Sequence, residues 1–168
     1  SRQPDIAMWN LAQLASALLP LIGEVAPAQT AVDRFPELFR AAWLDVFRAK
    51  IGLQEERDGD EASIHRLLEI MAAGHADFTN AFRALGTAKA RDEFLEPQAF
   101  EDWERGWRDR LEAEGATPES RRTGMLAVNP ALVPRTHRIE HAIEAAVGGD
   151  FDLFERMSAA LASPFADP

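Results

Sequence analysis

The sequence predicts an all-α fold of about seven or eight helices. Three observations predict it. Apolar residues recur at three- and four-residue spacings along most of the chain. Val, Ile and Thr are sparse, and no alternating apolar–polar run exceeds four residues, which argues against strands. Pro, Gly and the capping residues Asp and Thr fall where the apolar segments begin and end. A chain of 168 residues suits one helical domain over residues 1–168. At this size roughly 70% of the unfolded surface is buried on folding, enough for a core.

The elements follow in order. Asp5 caps a first helix whose Ile6, Trp9, Leu14, Leu18 and Leu21 lie near one face, with Pro20 and Gly23 ending it before a loop at Pro27. Residues 35–51 carry Phe35, Leu38, Phe39, Ala42, Trp43, Val46, Phe47 and Ile51, a stripe wide enough to be buried on most sides. Gly52 then serves as C-cap. Residues 54–61 read as a solvated acidic loop, from which Asp60 caps a helix with Ile64, Leu67, Leu68 and Met71 on its apolar face and Gly74 at its end. A short helix spans 77–85, with Phe78 and Phe82 one turn apart.

After a polar, poorly patterned stretch, Phe100, Trp103, Trp107 and Leu111 mark a long helix. Thr117 as N-cap and Pro118 in the first turn start another, which Asn129-Pro130 stops. The last two helices cover 136–147 and 151–162, with Gly148-Gly149 between them, Asp150 capping the second and Pro164 closing the pattern. The helices 35–51 and 100–111 are expected to supply the core.

Composition excludes several classes. The net charge of −10 disfavours binding to phosphate backbones, so no nucleic-acid partner is expected. Leu11 to Ile22 is the most apolar run, and Gln13, Ser16 and Pro20 interrupt it short of the ~20 residues that span a bilayer, so no membrane partner is expected. With no Cys, the chain has no disulfide, no Cys-ligated zinc and no thiol catalysis, which fits a reducing, cytoplasmic compartment. It opens on Ser1-Arg2-Gln3-Pro4 without a charged and then apolar leader, and reads as cut from a longer polypeptide.

Three constellations carry candidate chemistry. His137, Glu140 and His141 fit an H-x-x-E-H pattern: on a helix the two imidazoles share a face, Glu140 is placed as base, and Glu144, Glu155 or an earlier carboxylate, none singled out by spacing, would have to complete a zinc site. The competing reading is two histidines on an ordinary helix whose Ile139, Ile143 and Ala146 face the core, and it is preferred. Trp103 and Trp107 beside Arg105, Arg108 and Arg110 have the residue types of a single-strand stacking platform. Their many carboxylate neighbours favour a core stripe with a mixed-charge outer face. Arg121, Arg122, Arg135 and Arg138 have the charge for an anion, yet the chain's 28 carboxylates are the commoner partners. No phosphate-binding glycine loop, nucleophile elbow or kinase signature is present.

Read end to end, the chain resembles the C-terminal part of the SelO (selenoprotein O) family. Gln3-Pro4-Asp5-Ile6-Ala7-Met8-Trp9-Asn10-Leu11 is similar to that family's NQPxIAxWNL segment, and Phe47-Arg48-Ala49-Lys50-Ile51-Gly52-Leu53 to its MRxKLGL turn. Asp77-Phe78-Thr79 with Phe82-Arg83 is similar to its xDYTxxFR helix, Met125 through Arg135 to MxxxNPxxVxR, and Gly149-Asp150-Phe151 with Pro164-Phe165 to its GDF and PF ending. The likeness covers nearly the whole chain. Ser1-Arg2 stands where the family usually has Gly-Asn, Thr136 replaces a frequent Asn, and His137 and His141 fall where the family varies.

The resemblance implies a longer parent with a kinase-like fold that transfers AMP from ATP to hydroxyl side chains of protein substrates, using a divalent metal such as Mg. The family's nucleotide- and metal-binding motifs lie upstream of the NQP segment. No catalytic, cofactor-binding or metal residue is therefore carried onto this chain. Its expected role is structural support for the missing N-terminal catalytic half, with that half and the parent's protein substrates as partners. The alternatives are a non-catalytic helical module for protein interactions and, third, a zinc hydrolase built on His137, Glu140 and His141.

Overall fold

Nine α-helices and one 3₁₀ turn make up the described residues of the computed structural model, with no strand among them. The structure describes residues 2–87, 89–95 and 97–166. Ser1 of the opening motif, Ala88 and Glu96 of the poorly patterned stretch, and Asp167-Pro168 at the end lie outside the described residues. The helices are α1 Gln3–Ile22, α2 Val25–Asp33, α3 Phe35–Lys50, α4 Asp60–Ala73, α5 Phe78–Leu85, α6 Pro97–Glu112, α7 Pro118–Val128, α8 Thr136–Val147 and α9 Asp152–Leu161; the 3₁₀ turn is Ala90–Glu93. The all-α expectation holds, and each expected helix is present.

The ninth helix, α2, occupies the expected Pro27 loop. Pro27 falls in its first turn, where the missing N–H has no intrahelical partner to lose, so the ring does not break the helix. Pro20 does not end α1 either. The helix stops at Gly23, whose φ of 84° is left-handed and whose N–H donates to Leu19 O at 2.8 Å. Gln13 and Ser16 also lie within α1, and the Ser16 hydroxyl is satisfied by Ala12 O at 3.0 Å. The expectation of an interrupted apolar run is thereby corrected. With 20 residues and a mean hydropathy of 1.3 in its most apolar stretch, α1 is long and apolar enough, by length and composition, to cross a membrane.

Packing divides the chain into two compact units, residues 1–47 and 48–168, with the division inside α3. In the first, α1 packs on α2 through small and branched side chains, among them Ala12, Ala15, Leu19, Ala28 and Val32. Ala28 is buried, but no residue of α1 is. The broad stripe of α3 is not the core expected of it. Leu38, Phe39 and Val46 are exposed, Ala42 is exposed, and burial is confined to Leu44, Arg48 and, just beyond the helix, Ile51. Its rings pair with each other instead, Phe35 with Phe39 at 5.7 Å and Trp43 with Phe47 at 4.4 Å between centroids. The spacing is helical as expected, but most of the stripe stays uncovered among the described residues.

Residues 48–168 have a core. α6 packs on α4 and on the 3₁₀ turn. Phe100, Trp103, Trp107 and Leu111 are all buried, as their i, i+3, i+4 spacing requires. Ile64, Leu67, Ile70 and Met71 of α4, Phe82 and Leu85 of α5, Phe94 and Met125 are buried in the same unit. Phe94 stacks on Phe100 at 4.3 Å and Trp103 on Trp107 at 5.3 Å. Both indoles are satisfied: Trp107 Nε1–H donates to Ile51 O at 2.8 Å and Trp103 Nε1–H to Ser63 O at 2.9 Å.

Caps follow the sequence with three shifts: at α1 the cap position belongs to Arg2, which makes no side-chain cap bond, and the expected Asp5 lies inside the first turn. Asp77 accepts from Asn80 N and Thr117 from Ser120 N, as expected. At α4 the cap position belongs to Gly59, φ 94°, and Asp60 is turned into a charged cluster instead. At α9 the cap residue is Phe151, while Asp150 still takes the N–H of Asp152 at 3.0 Å. Gly52 ends α3 as expected, and at φ 79° a Cβ there would come 2.8 Å from Met125 Sδ.

Asn129, in the Asn-Pro step that stops α7, is fully buried and works as a clasp. Its amide donates to Lys50 O at 2.8 Å and its carbonyl oxygen accepts from Lys50 Nζ at 3.1 Å. Its own backbone carbonyl accepts from Arg83 Nη1 at 2.7 Å. The Lys50 ammonium lies 5.5 Å from the Phe82 ring centroid, and burial lowers its pKa. Asn129→Ala leaves the Lys50 carbonyl and ammonium short of a partner, so it costs about 1–3 kcal/mol in urea unfolding. Gln98→Ala, whose amide makes only an exposed contact to Asp102, changes stability by less than about 0.5 kcal/mol. Equal effects of the two would refute the clasp.

Candidate functional site

Five charged residues of the second unit, Arg48, Arg57, Asp60, Arg110 and Glu114, form one connected cluster. Asp60, 3% exposed, accepts from Arg110 Nε at 3.0 Å and lies 3.5 Å from Arg48 Nε. It also takes the backbone N–H of Arg57 at 2.9 Å. Arg110 reaches on to Glu114 at 2.6 Å and to the carbonyl of Glu55 at 2.7 Å. Glu114 accepts the N–H groups of Gln54 at 2.9 Å and Glu55 at 3.2 Å, which fastens the acidic loop to the end of α6.

Protonation follows from these contacts. Burial raises the pKa of Glu114, but the two backbone N–H groups and Arg110 outweigh it and hold the carboxyl below its ordinary value. Burial opposes the charge on Arg110 too, and its bonds to Asp60 and Glu114 more than restore it. A carboxylate held ionised as Glu114 is serves as a fastener, whereas a general base needs a pKa near the working pH.

Glu114 binds fewer protons when folded than when unfolded, so its contribution is complete above its ordinary pKa of 4.5 and is lost as pH falls through the lower folded value. Glu114→Gln is expected to flatten the fall of unfolding free energy between about pH 5 and pH 3 relative to the native chain. Parallel curves for the two proteins would show that the cluster does not carry this dependence.

A cavity of about 560 Å³ has Trp107, Leu111, Met125 and Leu85 on its apolar wall and Arg108, Arg121 and Arg122 among its polar lining, and none of the cluster's residues line it. Its guanidiniums are largely committed. Arg108 pairs with Glu104 at 2.6 Å, and Arg121 donates to the carbonyls of Leu111 at 3.0 Å and Ala116 at 2.8 Å at the end of α6. Arg135, expected as a possible anion ligand, pairs with Asp77 at 2.8 Å and keeps that carboxyl below its usual range. Arg138 is exposed on α8. The four arginines do not converge.

The tryptophan platform is likewise absent. Trp103 and Trp107 are buried, and Arg105 pairs with Asp102 at 2.6 Å on the outer face. The core-stripe reading of α6 is the correct one. His137, Glu140 and His141 are all exposed on α8, and the core-facing residue there is Ala142 rather than the expected Ile143, which is exposed. Among the described residues no group of three or more His, Asp or Glu comes together to hold a metal ion. His137, Glu140 and His141 are not joined there by a further acid or histidine. Chelator-treated protein titrated with Zn²⁺ is expected to show no stoichiometric site lost on His137→Ala; calorimetry showing one would reverse this.

What the structure does present is apolar surface. On α1, Ile6, Trp9, Leu14, Leu18 and Leu21 are exposed, with Trp9 at 63% and Leu21 at 84%. On α8 and α9, Ile143, Val147, Phe151 and Phe154 are exposed along a groove of about 380 Å³. Sequence periodicity locates such faces but does not say which stay uncovered.

The sequence model of the family described as "Protein adenylyltransferase SelO" matches residues 1–162. This chain belongs to the SelO family. It is 52% identical over 171 residues to a "Protein nucleotidyltransferase YdiU" of Ruegeria pomeroyi, covering 99% of this chain and 35% of that one. It is 48% identical to the protein of that name from Bradyrhizobium diazoefficiens, covering 99% of this chain and 37% of the relative. A Geobacillus kaustophilus relative of the same name is 43% identical, over 98% and 35%. The chain thus spans about a third of the length of the relatives it matches. The family membership expected from the NQP, Asn-Pro and GDF segments stands.

Proposed function

We propose that residues 1–168 are the helical C-terminal segment of a SelO-family protein nucleotidyltransferase, and that the segment braces the catalytic part of the longer parent rather than performing chemistry. The observation that carries this reading is α1. A helix carrying this many large apolar side chains belongs against a covering surface, yet Ile6, Trp9, Leu14, Leu18 and Leu21 are exposed and no residue of α1 is buried. Each large side chain on it is worth about 1.5–3 kcal/mol once covered. The relatives' remaining two-thirds is chain enough to cover it.

The parent's activity is the transfer of AMP from ATP, with Mg, to hydroxyl groups of protein substrates, on a kinase-like fold in the cytoplasm. The nucleotide and metal belong to the part of the parent outside residues 1–168. The absence of a donor set among the described residues supports that assignment. The buried Trp103 and Trp107 and the net charge of −10 support a protein partner over nucleic acid. The exposed groove on α8 and α9 gives the alternative, a module that recruits other proteins, its own foothold.

The test is transfer from labelled ATP. The parent is expected to label protein, and residues 1–168 alone to label none. Robust labelling by the segment would sink the division of labour. In the parent, Trp9→Asp is expected to lower Tm, because it places a charge under the cover of α1; an unchanged Tm would leave α1 without its supposed burial.

A further inference from the structure

The α8–α9 hairpin is built more firmly than its exposure requires. Gly148 caps α8 by donating to Glu144 O at 3.2 Å, and Gly149 turns the chain at φ 89°. Asp150 N–H donates back to Ala145 O at 3.0 Å, so the two helices leave the turn at a set angle. The chain after α9 is tied as well, since Pro164 O accepts from Ala131 N at 2.8 Å and Leu132 N at 3.1 Å.

This frame holds open a groove walled by Ala142, Ile143, Ala146, Val147, Phe151 and Phe154, all apolar. Val147 is 85% exposed and Phe154 52%. Its surroundings are acidic: the two helices and their turn carry Glu140, Glu144, Asp150, Asp152 and Glu155 against Arg138 and Arg156. A preformed apolar slot with an acidic margin fits an amphipathic segment whose apolar face is flanked by Lys or Arg.

We propose that this groove receives such a segment from the part of the parent chain outside residues 1–168. The inference rests on the longer parent proposed above. An all-apolar wall is the mark of a permanent contact rather than a transient one, whose surface is more polar. About two-thirds of the relatives' length lies beyond what this chain spans. A tethered segment also meets the groove at the high effective concentration that a covalent link provides.

The experiment places the photo-crosslinking residue p-benzoylphenylalanine at Val147 in the full-length parent and identifies the crosslinked peptides by mass spectrometry. The expected product is a crosslink within one chain to a segment outside residues 1–168 that carries Lys or Arg beside an apolar run. A crosslink to a second copy, to another protein, or confined to residues 1–168 overturns the proposal, and so does none. As a second arm, Phe154→Asp is expected to lower the parent's Tm by about 2–4 °C or more, and an unchanged Tm counts against it. Trp9→Asp measured beside it separates the two ideas: a loss at Trp9 with none at Phe154 rejects the groove's occupant and keeps the bracing role.

Discussion

The second unit depends on one interaction surface, the apolar face of α6. Phe100, Trp103, Trp107 and Leu111 are buried at successive turns, and each meets a different neighbour. Phe94 stacks on Phe100, the Trp103 indole reaches Ser63 at the start of α4, and the Trp107 indole reaches the carbonyl of Ile51 where α3 ends. Burying a Trp is stabilising only if its N–H finds an acceptor. The two carbonyls therefore fix where Ile51 and the start of α4 stand relative to α6 within this unit.

The polar clusters act on that frame as fasteners. Asp60, Arg110 and Glu114 secure the acidic loop to the end of α6, and Asn129 with Lys50 and Arg83 secures the end of α7. Each buried carboxylate, amide or ammonium in them has partners, as groups withdrawn from water must. Asp60, Arg110 and Glu114 are committed to structure, whereas His137, Glu140 and His141 stand exposed on α8.

Much of the fold was legible because helical spacing and caps are local. Phe100 to Leu111, Thr117-Pro118 and Gly74 announced their elements directly. Pro20 and Pro27 misled because proline disrupts a helix only where it removes a needed hydrogen bond or meets the preceding turn, which depends on position. Asp60 looked like a cap from sequence. Arg110, fifty residues away along the chain, claimed its carboxylate, and no local pattern announces that partner.

The sequence by itself determined that this chain is helical, where nearly every helix starts and stops, and which family it belongs to, since spacing, capping residues and motif order are properties of neighbours along the chain. Only the tertiary structure decided which apolar stripes are core. The stripe of α6 is buried, while those of α1, much of α3 and the α8–α9 groove stand open. Periodicity specifies that a face is apolar; whether it is covered depends on residues distant in sequence, and burial is a property of the pair of surfaces rather than of either one.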